Sequence, residues 1–81
     1  MDVDESMALF FEHRYLVNDI VKEFYDGRND MDKLLDLGTD GLMRAVNSIE
    51  SKEQLENMEF KTYARFYIGS LMNEWLQSGE E

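Results

Sequence analysis

The chain has 81 residues, room for one domain, and a chain this short buries only about 60% of the surface its unfolded form exposes. Its apolar fraction of 43%, with 12% aromatic, is ordinary for a folded domain, whereas a formal charge of -10 is large for the size and marks a very soluble surface. The absence of cysteine excludes a disulfide framework and a thiolate zinc site. No apolar run approaches the ~20 residues of a membrane span. The acidic start Met1-Asp2-Val3-Asp4-Glu5 has the wrong charge for a signal peptide, so a cytoplasmic location is expected. Residues 1–40 hold 4 basic against 11 acidic side chains and residues 41–81 hold 4 against 7, so the acid is concentrated in the first half. Such a surface repels a polyanion, because nucleic-acid affinity depends on Lys and Arg displacing counterions from phosphates.

With no proline and no repeat, glycines and polar clusters punctuate the chain, and the predicted class is all-α: one domain over 1–81, a compact bundle of about four helices. A first helix is expected over about 7–25, where Leu9, Leu16, Ile20 and Phe24, with Phe10, Val17 and Val21, recur at spacings of three and four. Asp26-Gly27-Arg28-Asn29-Asp30 breaks that pattern. A short helix over 31–37 follows, with Asn29 or Asp30 as its cap and Gly38 as its end. Thr39 or Asp40 then caps a helix over 40–49 carrying Leu42, Ala45, Val46 and Ile49. Ser51-Lys52-Glu53-Gln54 has the form of a capping box that starts one further turn through Met58.

The last helix is expected over 62–77. Advancing ~100° per residue puts Ala64, Ile68, Leu71, Met72 and Trp75 on one side. Tyr63, Phe66, Ser70 and Asn73 fall on another side and Tyr67 at the border. The outward aromatics either pack on the 51–60 segment or form a solvent-facing contact surface. Leu16, Ile20, Phe24, Leu42, Val46, Ile68, Leu71 and Trp75 are the expected core.

Two segments carry a resemblance. Gly38-Thr39-Asp40-Gly41-Leu42-Met43-Arg44-Ala45-Val46 is similar to the G-x-x-G-L-M-R-A-V stretch in region 2.2 of the bacterial sigma-70 family. Phe60-Lys61-Thr62-Tyr63-Ala64-Arg65-Phe66-Tyr67-Ile68 resembles that family's F-S-T-Y-A-T-W-W-I. Tyr15-Leu16-Val17 through Phe24 fits the first helix of the same domain, and the three blocks keep the family's order over roughly residues 12–76. The resemblance implies the core-binding and promoter-melting fold of region 2. It also implies a clamp-facing surface for core RNA polymerase made of Asp36, Thr39, Asp40, Met43, Arg44 and Asn47. The DNA-facing set it implies is Phe60, Lys61, Thr62, Tyr63, Arg65, Phe66, Tyr67 and Ser70. Aromatic faces suit that role, since stacking returns ~1–3 kcal/mol per base against the cost of extruding it. Lys61 and Arg65 are expected beside the aromatics.

Departures from the family pattern bear on both roles. Asp36 and Leu37 replace the usual Gln-Glu, Thr39 replaces an Asn, and Gly69-Ser70 and Glu74 stand where the family carries Arg-Gln and a further Arg. Lost guanidinium groups are lost phosphate and base contacts. The chain has no room for region 4, so a separate region 4 polypeptide is an expected partner, with promoter DNA met only inside the polymerase complex. The alternative is an acidic sigma mimic or regulatory protein that binds an anti-sigma factor or the polymerase without opening DNA. A third reading is an unrelated acidic helical adaptor.

Other motifs carry less. Asp26, Asp30 and Asp32 cluster, but Arg28, Met31 and Leu37 occupy positions where a calcium loop needs Asp or Asn, Gly and Glu, so a capped turn is expected. His13 is the only histidine and reads as a surface residue, with no nucleophile-base pair beside it. Gly38-Thr39-Asp40-Gly41 matches a bare GxxG, but an Asp inside a phosphate clamp is repulsive, and a helix-helix turn is preferred. Met7, Met31, Met43, Met58 and Met72 read as core fillers. No enzymatic activity, cofactor, metal or membrane association is expected.

Overall fold

The computed structural model describes residues 2–28 and 30–78, which are all-helical apart from their connections. The order is α1 (Val3–Glu12), α2 (Tyr15–Phe24), α3 (Met31–Asn47), α4 (Lys52–Glu56) and α5 (Phe60–Gln77). The two long helices make the molecule an elongated body of 41 × 18 × 17 Å.

The expected first helix is broken in two at His13-Arg14, although neither residue is a helix breaker. His13 Nδ1 donates to the Leu9 carbonyl at 2.9 Å. The backbone then tightens into bonds three residues back, from His13 to Phe10 and from Leu16 to His13, the 3₁₀ form of a helix end. The His13 ring also meets Phe60 edge-on at 4.8 Å, so the only histidine is a structural corner between α1, α2 and α5. Asp2 caps α1 in a reciprocal box with Glu5, which carries the helix four residues beyond its expected start at Met7.

The second difference is larger. The expected helices over 31–37 and 40–49 are one helix, α3, running through Gly38 and Gly41 without a turn. Neither glycine has a positive φ, which among the described residues only Gly27 shows. Both face the core. A Cβ on Gly38 would lie 2.7 Å from Val17 Cγ1, and one on Gly41 would lie 2.8 Å from the Ile68 Cα. The glycines therefore weaken the helix by about 1 kcal/mol each but let α2 and α5 approach closely. Thr39 is no cap: its hydroxyl donates to the Leu35 carbonyl one turn back. Asp30 is the cap of α3, accepting from the Lys33 amide, while the alternative cap Asn29 lies outside the described residues. Ser51 caps α4 through the Gln54 amide, but the Gln54 side chain reaches the Glu50 amide and leaves the box incomplete.

α3 and α5 make the most extensive contact in the fold, and they run antiparallel, since Ser48 meets Tyr63 and Gly38 meets Met72. Leu16, Ile20, Leu42, Val46 and Ile68 are buried as expected, with Leu9, Val17, Val21, Leu34, Ala45, Ile49, Phe60, Ala64 and Met72 completing the core. Phe24 and Trp75 are only half-buried and pack against it, and Leu71, expected in the core, is half-buried outside it. Four ion pairs join described side chains: Asp26 to Arg28, Asp40 to Arg44, Glu5 to Lys52 and Glu23 to Arg65. No helix among the described residues is long and apolar enough to cross a membrane.

Candidate functional site: two exposed helix faces

The inward positions of α3 fix what its outer face presents. Gly38, Gly41, Leu42, Ala45 and Val46 are buried, so Asp36, Asp40, Met43 and Asn47, at steps of four and three, form one outward stripe with Thr39 and Arg44 beside it. All six are exposed. Arg44 is joined to Asp40 at 3.1 Å across one turn, an exposed pair contributing about 0.5 kcal/mol. The stripe is thus acidic and polar, with Met43, 39% exposed, as its apolar member.

The α5 face is divided by the same logic. Ala64, Ile68 and Met72 are buried and turn the helix so that Phe66 points outward, 72% exposed. Exposed Thr62 and Ser70 flank it. Tyr63 and Tyr67 are half-buried on one side, ring to ring at 5.0 Å, and Tyr67 meets Phe66 edge-on at 6.3 Å.

The tyrosine hydroxyls are engaged. Ser48 Oγ lies 2.7 Å from the Ala45 carbonyl, which can only accept, and 2.6 Å from Tyr63 Oη. Tyr67 Oη lies 3.2 Å from Tyr63 Oη. With Ser48 donating to Ala45, the protons run from Tyr67 to Tyr63 to Ser48. When Tyr63 ionises, Ser48 can turn its hydrogen toward the phenolate. That bond, then the one from Tyr67, holds the Tyr63 phenol below its ordinary value. Tyr67, which commits its proton to Tyr63, is raised.

Two members of the expected DNA-facing set do not join this surface. Phe60 is 6% exposed and packs on His13, because α5 begins two residues earlier than its expected start and places Phe60 on the inward side. Arg65 lies ~200° around the helix from Tyr67, turned toward α2, where its guanidinium meets Glu23 at 2.9 Å. Lys61 is exposed and has no ion-pair partner among the described residues. Of the two alternatives for the outward aromatics, Phe66 takes the solvent-facing one, whereas Tyr63 packs beside Tyr67 and Phe60 of its own helix and Ser48 of α3.

The methionines are not mainly core fillers. Met72 is buried and Met58 half-buried, whereas Met7, Met31 and Met43 are exposed. Met7 belongs to a group the sequence reading missed: Val3, Met7 and Phe11, at steps of four along α1, are 73%, 50% and 54% exposed. The spacing was visible, but a helix begun at Met7 leaves Val3 out. Among the described residues no group of three or more His, Asp or Glu is placed to hold a metal ion. Asp26 and Asp30 instead serve as turn and cap acceptors.

No family model, curated protein or solved structure matches the chain.

Proposed function

We propose that this chain is a non-enzymatic interaction module of the sigma region 2 type, which binds core RNA polymerase through α3 and contributes to opening the -10 promoter element through α5. One observation carries the reading. The residues assigned to polymerase all lie on the exposed outer side of α3, four of them in one stripe with Thr39 and Arg44 beside it. The outward aromatic residue assigned to DNA, Phe66, stands on a different helix, and a tightly packed α3–α5 pair holds the two faces in fixed relation. A rigid module with one protein-facing and one base-facing surface is what coupling polymerase to strand opening requires. A separate region 4 polypeptide would supply upstream promoter reading, and the module would act in the cytoplasm.

A second reading, an acidic mimic that occupies the polymerase or an anti-sigma factor without opening DNA, is favoured by the pairing of Arg65 with Glu23. The two are separated by one assay series. Native chain should co-purify with core polymerase and Arg44→Glu should bind less, because an interfacial charge sets both rate and register. Permanganate reactivity of the -10 thymines should appear with polymerase and a region 4 partner, and should fall in Phe66→Ala while polymerase binding is kept. Binding without any opening by the native chain selects the mimic, and no binding to polymerase removes the first reading and the polymerase-bound form of the second, leaving an anti-sigma factor as the target to assay.

A further inference from the structure

We propose that the Asp26-Gly27 peptide, in the connection between α2 and α3, is a modification site that converts without an enzyme to isoaspartate, and that the chain's other Asp-Gly pair, Asp40-Gly41, is protected by the fold. The inference is independent of the polymerase reading, because neither Asp26 nor Gly27 belongs to a candidate face.

The reaction needs a backbone nitrogen that can reach the carboxyl of the preceding side chain. Asp26 and Gly27 are both exposed, just beyond the Tyr25 cap that ends α2. Gly27 has a φ of +88°, and a Cβ built there meets nothing within 4 Å, so the approach to its nitrogen is open. Among the described residues its amide donates no hydrogen bond. The Asp26 carboxyl is folded forward over that peptide: Oδ1 accepts from the Arg28 amide at 2.9 Å, and Oδ2 meets the Arg28 guanidinium at 3.4 Å. A positive φ is a conformation glycine adopts at no steric cost, so the turn itself calls for the residue that hinders ring closure least. Asp40-Gly41 differs at each point. It lies inside α3, where the Gly41 amide is committed to the carbonyl four residues back. The Gly41 Cα side is closed by Ile68, and Arg44 holds the Asp40 carboxylate at 3.1 Å.

The step balances with water as its one co-reactant. The Gly27 nitrogen bonds to Asp26 Cγ and gives up its proton, and the hydroxyl of the protonated carboxyl leaves with that proton as water, closing a succinimide ring. Water then adds to one of the two ring carbonyls. Opening at Cγ restores Asp26. Opening at the main-chain carbonyl carbon leaves the peptide running through Cβ and Cγ and frees an α-carboxylate. One water leaves and one returns, so the mass is unchanged and nothing is oxidised. The connection gains one backbone carbon between the Tyr25 and Asp30 caps, outside both helices.

The test compares the two pairs within one molecule. The full chain is held in mildly acidic buffer at physiological temperature, folded and in parallel unfolded in concentrated urea, until the unfolded sample has converted. Cleavage after Lys and Arg then puts Asp26 in the peptide 23–28 and Asp40 in the peptide 34–44. In each peptide the isomer is read as a second chromatographic peak of identical mass, whose new α-carboxylate accepts a methyl group from S-adenosylmethionine when an isoaspartyl O-methyltransferase is added as reagent. In the folded chain 23–28 should convert faster than 34–44 by about tenfold or more, because the Gly41 amide becomes available only when α3 opens. In urea the two peptides should convert at similar rates. Asp26→Glu, which keeps the charge but would have to close a larger ring, should abolish the isomer of 23–28 in the folded chain. Equal conversion of the two peptides in the folded chain, or no conversion of 23–28 there, would overturn the proposal. So would an isomer of 23–28 that persists in Asp26→Glu, since its source would then be another bond.

Discussion

Ser48 stands where the two candidate faces touch, at the end of α3 with its hydroxyl on Tyr63 of α5. Removing it should loosen the tyrosine pair without opening the core, which is built elsewhere. In an alkaline titration followed by tyrosinate absorbance, one of the four tyrosines should ionise before the rest. Ser48→Ala should move that step back toward the ordinary value near 10, because the bond that contributes most to lowering Tyr63 is lost. The sign of the linked stability is fixed. Between the lowered Tyr63 value and the unfolded one, the folded chain has released a proton that the unfolded chain keeps, so this group's contribution rises with pH. Above the unfolded value Tyr67, which is raised, retains a proton and reverses the slope. An unchanged titration in Ser48→Ala would mean that the hydroxyl contact does not persist in solution. Leu42 tests the core in the same residue-by-residue way. It is wholly buried, so Leu42→Ala should destabilise by ~2–5 kcal/mol through lost transfer energy and a residual cavity, read as a lower urea midpoint.

At the scale of elements, the two glycines of α3 and the one in α5 make opposite predictions from the same residue type. A Cβ at Gly41 meets the backbone of Ile68 at 2.8 Å, which cannot move aside as a side chain can, whereas one at Gly69 meets nothing within 4 Å. Gly69→Ala should stabilise by up to ~1 kcal/mol through helix propensity. Gly41→Ala should destabilise despite the same propensity gain, because α3 and α5 must separate; thermal midpoints moving in the same direction would contradict this packing. These glycines also show where the sequence was legible and where it was not. The spacing of Leu16, Ile20, Leu42, Val46 and Ile68 gave the helical class and the centre of the core, since three-and-four periodicity is a direct imprint of burial. Gly38 read as a terminator because helix propensity is local, while the contact that keeps it helical, with Val17 and Met72, is distant in sequence. The break at His13 was hidden for the reverse reason: a side-chain bond to Leu9 ends a helix that composition alone would continue. The α3 set rests on the resemblance alone, and that its members share one exposed face depends on the helix running unbroken through Gly38. The exposed row Val3, Met7 and Phe11 is missed because α1 starts before Met7.

For the whole molecule, charge and aromatics oppose each other. Behind Phe66 lies a formal charge of -10, Arg65 is held by Glu23, and Gly69 leaves open the space where the family pattern has an arginine. The isolated chain should therefore show no binding to duplex or single-stranded DNA at physiological salt, where screening extends over about 8 Å and local cations must act alone. In the proposed complex, held on polymerase over a promoter, the same face would work at high effective concentration, and weak stacking would become sufficient. A Glu23→Gln/Gly69→Arg variant separates the two regimes. It releases one guanidinium and adds another on the same side of α5, each substitution raising the charge by one unit from -10, with no core side chain altered. Free in solution the variant remains strongly acidic and should still fail to bind an oligonucleotide in an anisotropy titration. In the polymerase complex it should open the -10 element more than the native chain and keep opening it at higher salt, because two added phosphate contacts act only once the strand is already in reach. Equal opening by variant and native chain across the salt series would mean that this side of α5 does not face the strand, and would leave Phe66 and the Tyr63–Tyr67 side as the only part of the helix that could.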